Sequence, residues 1–282
     1  MRYAVALATL VLCGTAAPLF AQQRPLVTED PETIGAGRIL LEGGVDFAHD
    51  ITYTTSGLKG DLWRLPTIGI SVGVGSIAEI QVDGGLHDAL SITSRDPNAP
   101  LASLVTSTGD STHDVEDTVV GMKIRLVPEA ASRPAFAIRF ATKLGNSSVN
   151  SGLGTHSIDF YGSVLAAKTV QSVRIVGNLG AATLTDPMVG HVQNDVLTYG
   201  VSFARAVTPQ AEVVGEANGR VSFRSGPPIA GTETRGLLKF GGRYTIGSLR
   251  LDGGVYFGLT PIDPTIGVTA GFTYVFNAFT LP

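Results

Sequence analysis

The most constraining feature of this sequence is an alternation of apolar and polar residues that recurs along most of the chain. In residues 78–86, for example, Glu79 and Asp83 fall on one side and apolar residues fall on the other. Because side chains of a β-strand point alternately to its two faces, such a segment predicts a strand with one apolar and one charged face. The pattern occurs in the segments 39–48, 63–74, 77–87, 115–127, 134–144, 157–168, 172–183, 196–206, 210–221, 234–246, 249–258 and 266–276.

Each segment has about ten residues or slightly more, which is the length of a tilted strand that crosses a bilayer. Long polar connections, such as 49–62 and 88–114, alternate with tight turns, such as 75–76 and 247–248. A soluble β-sandwich also has period-two strands, but nothing in it requires loop lengths to alternate. The sequence therefore predicts an all-β fold, a transmembrane antiparallel β-barrel of about twelve strands in the bacterial cell outer membrane. Its turns are expected to be short on the periplasmic side, and its loops long on the extracellular side.

Composition excludes several other classes of protein. Only 16% of the 282 residues are charged, whereas an average soluble domain has about 25%. The 35 glycines and 15 prolines are too many for a helical bundle, and the 44% hydrophobic content is too high for a disordered chain. A net charge of −4 provides no basic surface for nucleic acid, so no nucleic-acid partner is expected.

The first residues predict export. Arg2 precedes an apolar run at 4–14, and the small residue Ala21 follows, so residues 1–21 are expected to be a signal peptide. The chain's only cysteine, Cys13, lies in this run, so the mature protein should contain no disulfide. The remaining divisions are an N-terminal periplasmic or lumen-inserted segment (22–37), the β-barrel (38–276) and a C-terminal extension (277–282).

The charged face of each strand is expected to point into the barrel. An Arg or Lys facing lipid at mid-height would cost about 2–4 kcal/mol, which strongly forces the orientation of each strand. The candidate lumen-lining residues are Glu42, Asp46, Glu79, Asp83, Lys123, Arg125, Arg139, Lys143, Glu212, Glu216, Arg235, Lys239 and Arg243. Such an interior must contain water or a network of ion pairs.

Two interpretations of these charges remain open. The first and third strands are acidic, whereas the fourth and fifth are mostly basic. This segregation can produce a transverse field in a narrow pore that selects polar solutes. Alternatively, adjacent columns of salt bridges rigidify the wall and occlude the lumen, which would make the protein a structural barrel. Twelve strands lie between the filled eight-stranded barrels and the wide sixteen-stranded porins, so a small conduit is expected.

The histidines raise an enzymatic alternative. All five lie at or near the expected extracellular ends of strands: His49, His87, His113, His156 and His191. Three are followed directly by Asp, and a carboxylate-oriented His is half of a hydrolytic site, while clustered His can also ligate a metal. Adjacent residues of a strand point to opposite faces, however, so no such pair is itself a dyad. We therefore expect no enzyme, cofactor or metal, and keep a rim hydrolase using His/Asp pairs as the alternative.

Two parts of the sequence resemble known outer-membrane proteins. The pattern Thr269-x-Gly271-x-x-Tyr274-x-Phe276 resembles the C-terminal signal of barrels that the barrel-assembly machinery inserts, although six residues follow it here. Residues 24–31 (RPLVTEDP), 35–37 (GAG) and 41–42 (LE) resemble the opening of the bacterial "meta-pathway of phenol degradation" family. That resemblance implies a transporter-like outer-membrane barrel, and passive uptake of small aromatic or hydrophobic molecules. We expect a monomeric channel or facilitator whose partners are outer-membrane lipid, the assembly machinery and a small-molecule solute.

Overall fold

The computed structural model of the chain describes residues 24–189 and 192–280. The strands are β1 (Arg38–Tyr53), β2 (Leu58–Gly73), β3 (Ala78–Gly85), β4 (Asp88–Arg95), β5 (Ser111–Asp114), β6 (Val119–Val127), β7 (Ala135–Lys143), β8 (Asp159–Val170), β9 (Val173–Thr185), β10 (Gln193–Ala206), β11 (Ala211–Ser222), β12 (Arg235–Ile246), β13 (Leu249–Gly258) and β14 (Ile266–Asn277). Two 3-10 turns, Ala102–Leu104 and Val149–Ser151, interrupt the connections. Within the described ranges, no helix is both long enough and apolar enough to span a membrane.

The strands close into a ring. β1 pairs with β2 on one side and with β14 on the other, and all pairings are antiparallel. The ring has twelve strands, because β4 and β5 continue the wall beyond β3 and β6 instead of occupying positions of their own. β3 and β4 both pair with β2, one along each half of it. The predicted twelve-stranded antiparallel barrel is confirmed.

The two ends of the barrel differ in their connections. At one end, which we call the short-turn end, connections such as 171–172 and 247–248 join neighbouring strands, and β1 and β14 begin and end. At the opposite, long-loop end lie connections such as 144–158 and 223–234. The sequence wrongly placed a long loop at 49–62, because the β1–β2 hairpin continues to a connection of only residues 54–57. The two strands thus remain paired beyond the residues whose alternation of apolar and polar side chains predicts them.

The outer and inner faces of the wall have opposite chemistry. Large apolar side chains such as Phe140, Phe160, Leu179 and Val201 are exposed on the outside, as strands in lipid require. Inside, the long-loop end contains a buried apolar cluster formed by Ala48, Leu58, Leu62, Leu90 and Tyr256. The short-turn half of the interior is mainly charged. The fold therefore encloses a largely charged interior with one apolar cluster near the long-loop end.

Candidate functional site

The thirteen predicted lumen residues all lie at inward-facing positions of the wall. Many of them form ion pairs within the wall and its loops. The nitrogen–oxygen distance is 2.7 Å for Arg64–Asp46, and 3.0 Å for Lys123–Glu79 and Lys143–Asp159. The distance is 3.8 Å for Arg139–Asp83, Arg243–Glu212 and Arg235–Asp263. Glu42 accepts a hydrogen bond from Thr273, and Lys239 lies 5.3 Å from the centre of the Tyr256 ring. Arg125 and Glu216 instead contact a segment that lies inside the barrel.

Residues 24–34, which we call the inner segment, lie inside the ring and contact several strands of the wall. At one end, Arg24 donates hydrogen bonds to Thr67 of β2 and Thr269 of β14, at 3.0 and 3.2 Å. Further along, Asp30 receives two hydrogen bonds from Arg174 of β9, both at 2.7 Å. Such bidentate pairs fix orientation as well as position. The inner segment therefore crosses the lumen from one side of the wall to the other.

Wall side chains also bind the backbone of the inner segment. Glu216 accepts hydrogen bonds from the backbone N–H groups of Val27, at 2.8 Å, and of Thr28. Asn178 accepts from the N–H of Glu29 at 2.6 Å and donates to its carbonyl oxygen at 2.8 Å. An extended chain inside a barrel has no ladder of its own, so its polar groups need such partners when they are buried. The wall therefore substitutes for a neighbouring strand.

Two glycines of the wall make room for Arg24. A Cβ atom at Gly44 would lie 2.2 Å from Nη2 of Arg24, and one at Gly271 would lie 2.5 Å from it. Real Cβ atoms do not approach other heavy atoms so closely, so any larger residue at either position would displace the guanidinium. These small residues on β1 and β14 are therefore part of the binding surface for the inner segment.

Glu29 is the most highly connected acid of the inner segment. Its carboxylate lies 2.7 Å from Nε of Arg139, 3.2 Å from Nζ of Lys123 and 3.0 Å from Nε2 of Gln81. Burial raises the pKa of Glu29, but the positive charges of Arg139 and Lys123 outweigh burial and lower this pKa from 4.5 to about 2. The ionised form of Glu29 is therefore the form that the folded barrel stabilises.

The folded barrel should consequently become less stable in acid, because Glu29 becomes protonated. A carboxyl group with a lowered folded-state pKa contributes stability above its unfolded value of 4.5, and this contribution disappears as pH falls toward 2. The contribution is about 3 kcal/mol at neutral pH. We expect the difference in unfolding free energy between wild type and E29Q, measured by urea titration in lipid vesicles, to shrink between pH 4.5 and 2. A difference that stays constant across this interval would contradict the assignment.

Two cavities border the inner segment. The first, of about 410 Å³, extends toward the long-loop end and is lined by Leu165, Leu237 and other residues of that half. The second, of about 360 Å³, is lined by Arg24, Glu42, Asp83 and their neighbours. Four residues line both cavities: Val27, Glu29, Arg64 and Arg139. The two cavities adjoin at these four residues, and we call this place the constriction.

Several residues of this site were missed by the sequence pattern. Arg64 lies at the constriction, but β2 is irregular around Leu65 and Pro66, where its pairing passes from β4 to β3. Alternate residues of a strand face inward, and such an irregularity shifts this alternation by one residue. The inward-facing residues of β2 are therefore even-numbered at Arg64 and odd-numbered at Thr67. Arg220 was also missed. It is an even-numbered residue of the same strand as Glu212 and Glu216, so the alternation along that strand could have identified it as inward-facing.

The described histidines lie at the long-loop end. They are His49, His87, His113 and His156, whereas His191 falls outside the described residues. Nδ1 of His49 lies 2.7 Å from Oδ1 of Asp61 on the neighbouring strand, so one His–carboxylate pair does exist. Among the described residues, no hydroxyl group contacts this pair, and no three His, Cys, Asp or Glu side chains are placed to hold a metal ion.

Comparison with solved structures identifies the fold. The COG4313 outer membrane channel from Pseudomonas putida F1 is similar to this chain, with a TM-score of 0.60 and 11% identity over 88% of this chain and 98% of that one. This is the fold of an outer-membrane β-barrel. The translocator domain of the autotransporter NalP from Neisseria meningitidis has a TM-score of 0.48 and 13% identity over 85% of this chain and 88% of its own. A mutant of the TodX monoaromatic hydrocarbon channel has a TM-score of 0.43 and 11% identity, over 88% and 93%.

The same comparisons leave the family open. No family profile matches the chain, and no curated protein matches it. The family indicated by residues 24–42 therefore stays a prediction. A closed barrel with an apolar exterior and this fold is a protein of the bacterial outer membrane. Its long-loop end is extracellular and its short-turn end is periplasmic.

Proposed function

We propose that the protein is a channel for passive passage of small molecules across the outer membrane, narrowed by the inner segment. One observation carries the proposal: two cavities inside a closed barrel meet at a constriction formed by Val27, Glu29, Arg64 and Arg139. Transport through such a barrel needs no energy coupling, because the solute only moves down its gradient. The similar COG4313 protein is itself described as an outer membrane channel.

The extracellular cavity favours small aromatic or hydrophobic solutes over sugars. Its wall includes Leu165, Leu237 and the ring of Tyr256, and apolar walls with a few polar groups are typical of sites for small organic ligands. Passage toward the periplasm then requires the solute to leave this apolar wall and pass the charged constriction. The resemblance of the N-terminal residues to the phenol-degradation family agrees with such solutes.

Functional reconstitution tests the proposal against a structural barrel with an occluded lumen. The mature protein is placed in planar bilayers for conductance, and in liposomes for swelling with phenylalanine, arabinose and raffinose. We expect a small conductance and a swelling rate that falls steeply with solute size. A barrel that is folded, as judged by its heat-modifiable migration in gels, but neither conducts nor admits any of the three solutes would overturn the proposal.

Val27 provides a graded test of the constriction. Its side chain is 56% exposed within the lumen and lines both cavities, so it can be enlarged without displacing packed neighbours. We expect V27W to lower the rate of phenylalanine entry by roughly threefold or more, because it narrows the shared opening. The matched variant V27A should keep or increase the rate. If V27W and V27A behave alike, the solute does not pass Val27.

A further inference from the structure

Two arginines of the extracellular cavity lie opposite each other on neighbouring strands. Arg220 of β11 pairs directly with Arg235 of β12, and both line the cavity. Like charges at directly opposed positions of a sheet are destabilising. This pair of arginines therefore destabilises the barrel unless other groups compensate for the two charges.

The compensation of Arg220 is incomplete. Its Nε donates to the carbonyl oxygen of Glu233 at 2.9 Å, and its Nη2 donates to that of Gly231 at 2.6 Å. Of the four cations that line this cavity, Arg64, Arg139 and Arg235 each lie within 4.0 Å of a carboxylate oxygen, and Arg220 does not among the described residues. Arg220 is therefore the one arginine of this cavity that no carboxylate of the described residues contacts directly, and its Nη1 has no hydrogen-bond acceptor among those residues.

The rest of the cavity is built for an apolar molecule with one polar end. Leu165 and Leu237 lie on its wall, and Tyr161 lies on the same wall. The Tyr161 side chain interacts electrostatically with Arg220, and within the described ranges its hydroxyl group has no hydrogen-bond partner. A volume of about 410 Å³ falls in the range of sites for small organic ligands.

We propose that this cavity binds a small aromatic monocarboxylate, with its carboxylate on Arg220 and the Tyr161 hydroxyl and its ring against Leu165 and Leu237. A guanidinium has the donor geometry that a carboxylate matches. The carboxylate supplies the direct ion-pair partner that Arg220 lacks, and the apolar ring replaces water on the leucines. The proposal rests on the proposed function in one respect, since it names the solute class that the channel would concentrate at its extracellular mouth.

Ligand binding tests this site directly. Fluorine NMR of the refolded mature barrel in detergent micelles gives dissociation constants for 4-fluorobenzoate, and for its neutral and cationic analogues 4-fluorobenzyl alcohol and 4-fluorobenzylamine. We expect 4-fluorobenzoate to bind roughly tenfold or more tightly than either analogue, because a charge-assisted hydrogen bond has no equivalent in them. Equal binding of benzoate and alcohol to the wild-type protein would overturn the proposal.

Two variants place the carboxylate within the cavity. R220Q should weaken 4-fluorobenzoate binding by roughly tenfold and leave 4-fluorobenzyl alcohol unaffected. R224Q is the matched control, since it removes the same charge from an exposed arginine at the same end of the barrel, and it should have no effect. Y161F removes only the hydroxyl group, keeps the ring in place, and should weaken benzoate binding severalfold, which tests the site even if R220Q folds poorly.

The outcomes separate this proposal from the channel itself. A barrel that conducts and admits phenylalanine, but shows no Arg220-dependent benzoate binding, keeps the channel and refutes the carboxylate site. Arg220-dependent binding in a barrel that does not conduct keeps the site and refutes the channel. If R220Q and R224Q weaken binding equally, the effect is general electrostatic attraction, and the assignment to Arg220 is wrong.

Discussion

Deletion of the inner segment should raise single-channel conductance by roughly threefold or more, because residues 24–34 occupy the lumen between the two cavities. In the wild-type barrel, an ion must pass the constriction that Val27 and Glu29 form with the wall. Without the segment, the two cavities join, and only wall side chains limit the path. Planar-bilayer recordings of the mature protein with and without residues 24–34 measure this change. An unchanged conductance would show that ions do not pass where the inner segment lies.

Deletion also removes three acids that pair with wall cations, so a reversible variant is needed. The ideal Cβ at Gly200 lies 3.4 Å from Cβ of Thr28, close to the separation found in disulfides. The only cysteine of the chain is Cys13, in the expected signal peptide, so T28C/G200C introduces a single thiol pair into the mature barrel. Oxidation should fix the inner segment to β10. We expect the oxidised form to have the low conductance of the wild type. The conductance of the reduced form should be equal to that of the oxidised form or higher.

The locked variant and the deletion together distinguish two roles of the segment. If reduction of the disulfide increases conductance or its fluctuations, the inner segment moves during conduction and acts as a gate. If the oxidised and reduced forms conduct equally while the deletion conducts more, the segment is a fixed constriction. An oxidised form that conducts as well as the deletion would contradict the placement of the segment in the pathway.

The wall of the barrel could be predicted from the sequence because the bilayer imposes a strict rule on it. Residues that face lipid in the middle of the membrane must be apolar. Phe140 or Phe160 on one face, and Arg139 or Asp159 on the other, therefore determine strand orientation directly. This rule applies only to the part of each strand that lies within the membrane. The β1–β2 hairpin continues beyond the membrane to Tyr53 and Leu58, and there both faces are polar or mixed, so strand and loop look alike in the sequence.

The path of the inner segment could not be predicted in the same way. Residues 24–34 have no periodicity, and their extended form depends on distant wall groups, such as Arg174 for Asp30 and Glu216 for Val27. Likewise, the inward orientation of Arg220 follows from strand parity, but its lack of a carboxylate partner depends on how the 223–234 connection folds over it. Periodicity thus predicts which face a residue occupies, whereas long-range contacts determine its partners.

Replacement of Lys123 by methionine should strongly destabilise the folded barrel. The ammonium group is fully buried, lies 3.0 Å from Glu79 and 3.2 Å from Glu29, and donates to the carbonyl oxygen of Asp30 at 2.9 Å. Removing one partner of a buried ionic cluster typically costs about 3–5 kcal/mol, because the remaining charges stay desolvated without compensation. K123M leaves the Glu79 carboxylate without a cation, and leaves Glu29 with Arg139 alone. Urea unfolding in phospholipid vesicles, followed by the fluorescence of Trp63, measures the loss.

A second lysine provides the matched control, since Lys143 also contacts two carboxylates, Asp117 at 3.1 Å and Asp159 at 3.0 Å. Its side chain is 18% exposed, whereas that of Lys123 is 0% exposed, so water can reach the acids that K143M leaves behind. We therefore expect K143M to cost about 1 kcal/mol or less. In K123M, the additional change E79Q should recover part of the lost stability, because it removes the carboxylate that K123M leaves without a cation. Equal losses for K123M and K143M would show that water solvates both sites alike, and that the centre of the lumen is not desolvated.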